Sequence, residues 1–163
     1  MANEEYQIPI FLINGQLDSG KTRFISDTIA MGQFADAKNK LLIVCEEGEE
    51  EYSEKLLKDN GVDMVVVEKE DFNIKTLNEL DKKYDPWIVI VEYNGMWDPA
   101  LILGSEKPRG WQVYQSITLV DANAFGLQWA NMKSIMAEMV KNVDMVVFNR
   151  CKSSMDLGSY RRS

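Results

Sequence analysis

Gly15 and Gly20 are followed at once by Lys21 and Thr22, in the stretch FLINGQLDSGKTRF at residues 11–24. The spacing is G-x-x-x-x-G-K-[ST], set between an apolar run and an amphipathic one, the strand-then-helix context that a phosphate-binding loop requires. Glycines let successive N–H groups turn inward onto phosphate oxygens, and the N-terminus of the following helix adds positive potential. Lys21 then neutralises terminal phosphates and Thr22 supplies a hydroxyl for magnesium. The candidate nucleotide-binding positions here are Gly15, Asp18, Ser19, Gly20, Lys21, Thr22 and Arg23. A carboxylate among phosphates costs binding energy unless something offsets it, so the Asp18 side chain is expected to face solvent. Arg23 opens a helix and is expected on its exposed side.

Other chemistry stands at the ends of apolar runs. Glu92 closes WIVIVEY, and an acidic residue in that position can hold magnesium through water or polarise an attacking water. Glu46 and Glu47 follow KLLIVC, and Asn149 and Arg150 follow DMVVF. Parallel strands end on one edge of their sheet, where ligands bind, so these residues are expected to converge on the loop.

The elements that would bring them together can be read from periodicity. Six short apolar runs, at 8–14, 40–45, 63–67, 87–93, 113–121 and 144–149, read as strands, several without alternation, as strands buried on both faces should be. Amphipathic stretches at 21–31, 50–59, 74–83 and 124–141 read as helices. In the last of these, Met132, Met136 and Met139 share one face, read as a core stripe. The run EEGEEEYSE is read as the solvated start of the second helix, where acidic side chains suit the dipole. The fold class is therefore α/β, a mostly parallel central sheet with helices on both faces, the P-loop NTPase arrangement. One long connection, 94–112, carries Trp97 and Trp111; it is either a working loop or one held onto the sheet by its tryptophans.

Composition narrows the partners. With 163 residues, 45% hydrophobic and 27% charged, the chain fits one domain, 1–163. Its net charge of −8 offers no general field for nucleic acid or anionic lipid, so neither nucleic acid nor membrane is an expected partner. No apolar run is long enough for a membrane span and the N-terminus lacks a basic secretory start, from which a cytoplasmic location is expected. The absence of histidine excludes imidazole-based triads and His-containing zinc sites. The two cysteines, Cys45 and Cys151, read as reduced thiols, Cys45 as a buried strand-end residue.

The segments IPIFLINGQLDSGKTRF, VIVEYNGMWDPA, ITLVDANAF and DMVVFNRC together resemble the nucleotide domain of the CobW-like P-loop GTPases, relatives of the nickel-insertion GTPases for hydrogenase and urease. The likeness spans nearly the whole chain. It implies GTP and Mg2+ as cofactors, with Thr22, Glu46 and Glu92 on the metal side and Lys21, Glu46 and Glu92 as the catalytic set, the family glutamate mapping to Glu46 or Glu47 and Glu46 preferred by its offset from Gly48. It also implies that Glu92–Gly95, with Asp98 and Pro99, is the switch-like segment and that Asn149 and Arg150 lie at the base. Three departures stand out. There is no cysteine between Cys45 and Cys151, so the family's C-x-C-C metal motif is missing; Lys152 replaces the aspartate that accepts from the guanine edge; and the family would continue past Ser163 with a further strand and a C-terminal domain.

The expected function is a magnesium-dependent GTPase of slow intrinsic turnover, coupled to metal or cofactor delivery or to a partner switch. Its candidate partners are the nucleotide, a metal-receiving protein and a second copy in a homodimer. Two alternatives stay open: a nucleotide-binding regulatory module without useful hydrolysis, and an ATP-using member of the wider superfamily, which Lys152 keeps in play.

Overall fold

The computed structural model describes residues 6–16, 19–45, 50–97, 100–123 and 143–149. The strands are β1 (Ile8–Gly15), β2 (Lys40–Val44), β3 (Val62–Val66), β4 (Ile88–Glu92), β5 (Trp111–Asp121) and β6 (Met145–Asn149). The helices are α1 (Lys21–Ala30), α2 (Glu54–Asp59), α3 (Ile74–Tyr84) and a single turn, α4 (Ala100–Leu103). All six strands join one sheet in the order β3-β2-β4-β1-β5-β6, and every pairing is parallel. The expected α/β class holds, with a sheet that is wholly parallel.

Side chains alternate across the pleat, so each buried strand supplies both faces. Ile8, Ile10, Leu12, Leu41, Ile43, Val89 and Val91 pack on one side with Leu77 and Leu80 of α3. Ile13, Leu42, Val44 and Ile90 pack on the other with Ile25 and Ile29 of α1 and Leu57 of α2. The division follows chain direction. The connections through α1 and α2 step one way along the sheet, the one through α3 steps back, and right-handed crossovers place the two sets on opposite faces. No helix among the described residues is long and apolar enough to cross a membrane.

Two expectations are corrected. The second helix starts at Glu54, not residue 50, because the Ser53 side chain takes the N-cap position and accepts from Leu56 N at 3.3 Å. The acidic run before it is not helical at Glu50–Ser53. The 94–112 connection is partly structured: α4 interrupts it and buries Ile102, and β5 begins at Trp111, two residues before position 113. Both tryptophans pack. Trp111 is buried and its Nε1 donates to Asp81 Oδ1 at 2.8 Å, while Trp97 joins Phe72 and Tyr93 in an edge-to-face cluster. The 124–141 helix, with its methionine stripe, lies outside the described residues.

The α3 seam gives a direct check. Leu77→Ala should cost about 2 to 5 kcal/mol of folding free energy, by lost burial plus a cavity. Exposed Glu79→Ala, on the same helix, should stay within about 0.5 kcal/mol. Urea unfolding of both variants measures the contrast.

Candidate functional site

β1 ends in a turn built for close approach. Asn14 is buried and its Oδ1 accepts from Gly15 N at 2.8 Å, fixing the strand's exit. Gly15 (φ +144°) and Gly20 (φ +96°) adopt backbone that L side chains rarely enter. A Cβ at Gly15 would also stand 2.5 Å from Leu119 O and 2.6 Å from Ser19 Oγ. The chain turns back through Ser19 N to Gln16 O at 3.1 Å, and Gly20 then caps α1 without offering a side-chain acceptor. First-turn amides of a helix have no intrahelical partner, and their positive end suits an anion.

Lys21 folds back over this turn. Its Nζ donates to Gly15 O at 2.6 Å and to Gln16 O at 3.1 Å, and the residue is only 4% exposed. Ser19 Oγ is buried and has no hydrogen-bond partner among the described residues, a polar atom left for something else to satisfy.

Beside the loop, β1 and β4 pair so that Ile13 lies next to Glu92, and Tyr93 N donates to Ile13 O at 2.8 Å. That register delivers Glu92, 3% exposed, to the first turn of α1. Thr22 Oγ1 donates to Glu92 Oε1 at 3.0 Å, and the Tyr52 hydroxyl donates to Glu92 Oε2 in a short hydrogen bond. Burial first, then the charge of Glu92, push the Tyr52 phenol well above its ordinary value, with a hydrogen bond to Thr22 acting in the opposite direction. It therefore stays a donor. A hydroxyl and a carboxylate in contact are the hard oxygen ligands that a magnesium ion takes.

Two further backbone contacts wall the loop. Asn149, at the end of β6, donates from Nδ2 to Ser19 O at 3.1 Å, and a Cβ on Gly20 would lie 2.1 Å from that nitrogen. Gly95 lies against β1's exit so closely that a Cβ there would stand 2.1 Å from Gly15 O. The segment after β4 thus touches the phosphate loop main chain to main chain.

The family model described as CobW/HypB/UreG, nucleotide-binding domain, matches residues 9–160. The chain belongs to this family. No curated protein and no solved structure matches it. The glycine turn, buried lysine and Thr22–Glu92 pair are thus parts of a CobW/HypB/UreG nucleotide-binding domain, and the α/β sheet is its P-loop fold.

Within this CobW/HypB/UreG domain, Gly15, Ser19, Gly20, Lys21, Thr22, Glu92 and Asn149 gather at one sheet edge, as expected. Arg23 does not join them: it pairs with Asp27 at 3.3 Å on the exposed face of α1. Asp18, Glu46 and Arg150 lie outside the described residues. Sequence reading missed Tyr52, Asn14 and the Gly95 contact. An aromatic residue inside an otherwise acidic run was the one available signal for Tyr52.

Gly95→Ala forces the segment after β4 off Gly15. The expected result is a loss of about 1 to 3 kcal/mol of stability, as for an overpacked core, with weaker nucleotide binding. Urea unfolding and a fluorescent-nucleotide titration of the same variant check both.

Proposed function

We propose that the domain binds GTP with Mg2+ and hydrolyses it slowly, the hydrolysis state governing a partner or a metal-delivery step. The observation that carries this reading is the buried Thr22–Glu92 hydrogen bond at the foot of a loop already folded around Lys21. The residues present suit both groups: Ser19 Oγ has no partner among the described residues, Gly15 and Gly20 allow a tight turn where a Cβ would overlap Leu119 O or Asn149 Nδ2, and the Thr22–Glu92 pair offers hard oxygens.

In this reading Lys21 leaves its two carbonyl acceptors in part to meet the terminal phosphates. The main-chain amides at the start of α1 face the same oxygens and stabilise charge developing there without reorganising. Thr22 would supply its hydroxyl oxygen while its proton, still on Oγ1, stays hydrogen-bonded to Glu92. Thr22 and Glu92 would hold a magnesium ion here, which would supply positive charge against the phosphates. Glu46 is proposed to help place the water. A change in the segment after β4 passes outward through Gly95 and through Trp97, packed on Phe72 and Tyr93.

GTP is preferred on family grounds, with Asn149 and Arg150 at the base; Lys152, in place of a guanine-reading aspartate, weakens that preference. Without a C-x-C-C motif between Cys45 and Cys151, delivered metal would need ligands from elsewhere, such as a metal-receiving protein or a homodimer partner. A cytoplasmic site of action belongs to the same proposal. A second reading, binding and switching without useful turnover, is favoured by Glu92 itself: both oxygens accept from protein donors, which suits a holder better than a base.

Lys21→Ala should weaken nucleotide binding at least about tenfold, since a charge-assisted hydrogen bond contributes roughly 1.5 to 3 kcal/mol. Phosphate release above that variant's level supports the hydrolase, and tight binding with no release supports the switch. Competition between fluorescent GTP and ATP analogues decides the base: equal displacement by both removes the guanine preference.

A further inference from the structure

Tyr52 belongs to no phosphate-loop motif, yet its hydroxyl donates to the buried Glu92 carboxylate, opposite the Thr22 contact. It reaches Glu92 from the β2–α2 connection, two residues before α2 begins. Its position is set independently of the nucleotide site: Ser53 caps α2 through Leu56 N, Leu57 is buried in the α1-side core, and the Tyr52 ring packs against that same core. The ring is thus carried by a helix start that is itself anchored.

A glutamate side chain has three rotatable bonds, and a single donor on one oxygen leaves the carboxylate plane free to swing. Thr22 holds Oε1 and does not itself set Oε2. With Tyr52 on Oε2, the carboxylate plane is fixed at both ends. Thr22 donates to Oε1, which turns the hydroxyl's lone pairs away from Glu92.

We propose that Tyr52 is the positioning residue of the cation site: its hydroxyl locks Glu92 so that Thr22 presents a lone pair, and Glu92 a fixed oxygen, to a divalent cation. The role rests on the magnesium–nucleotide reading above. It also gives the β2–α2 connection a direct hold on cation occupancy, because displacing Tyr52 removes the donor on Oε2.

Tyr52→Phe keeps the ring and removes only the donor. Loss of a partner that orients a metal ligand typically lowers metal affinity about 10- to 100-fold. Mn2+ binding to the GDP-loaded protein, read by electron paramagnetic resonance, should weaken by at least about tenfold, while GDP affinity in EDTA matches the native chain; a merely structural loss would lower both. As a second measurement, 3-fluorotyrosine placed at position 52 keeps the hydroxyl, and its 19F resonance should shift with the same Mg2+ saturation as the GDP complex. Unchanged Mn2+ affinity in Tyr52→Phe, or a 19F signal indifferent to Mg2+, overturns the role of Tyr52 alone. If native protein with GDP binds Mn2+ no better than Thr22→Val, the metal reading itself fails and this role falls with it.

Discussion

The parallel pairing of β1 with β4 is the constraint on which the site depends. It sets Ile13 beside Glu92, so that the last residue of one strand arrives where the other turns into the phosphate loop. Neither strand could slip by a residue. Side chains alternate in direction, and a one-residue shift would turn Glu92 onto the opposite face, driving its carboxylate into the apolar core of Leu12, Val89 and Val91. The sheet's burial on both sides thus fixes the position of a single carboxylate. The hydrophobic effect sets this register; the Thr22–Glu92 hydrogen bond only uses it.

Around that point the chain economises on side chains. Gly15, Gly20 and Gly95 bring main chain against main chain or against Asn149, at separations where a methyl group would overlap its neighbour. The ends of β1, β4 and β6 therefore meet as backbone surfaces, with a few polar side chains, Asn14 and Asn149 among them, tying the amides and carbonyls together. Buried backbone polar groups need such partners, and here the partners also define the cup's shape.

Much of this was legible in the residues alone, for identifiable reasons. Six apolar runs bounded by turn residues, and the G-x-x-x-x-G-K-T spacing, are local signals, and the strands fall within about two residues of their expected ends. Glu92 could be named because it closes a strand whose direction follows from the fold class. The second helix was read too early because acidic residues suit a helix start as well as they suit a loop, and only Ser53's cap decides between them. The turn at Ala100–Leu103 is too short to show a period. The role of Tyr52 escaped for a different reason: its partner lies 40 residues away, and no spacing rule links the β2–α2 connection to the end of β4.

The Lys21 ammonium, enclosed by the carbonyls of Gly15 and Gln16, has a consequence for kinetics. A buried cation needs acceptors, and here the turn supplies its own, so the curl is internally cross-linked before any anion arrives. An incoming polyphosphate meets a receptor whose ordering entropy was spent when the protein folded. Capture then asks of this turn only that Lys21 leave its carbonyls, and differences in affinity among related ligands should be expressed mainly in how fast they escape.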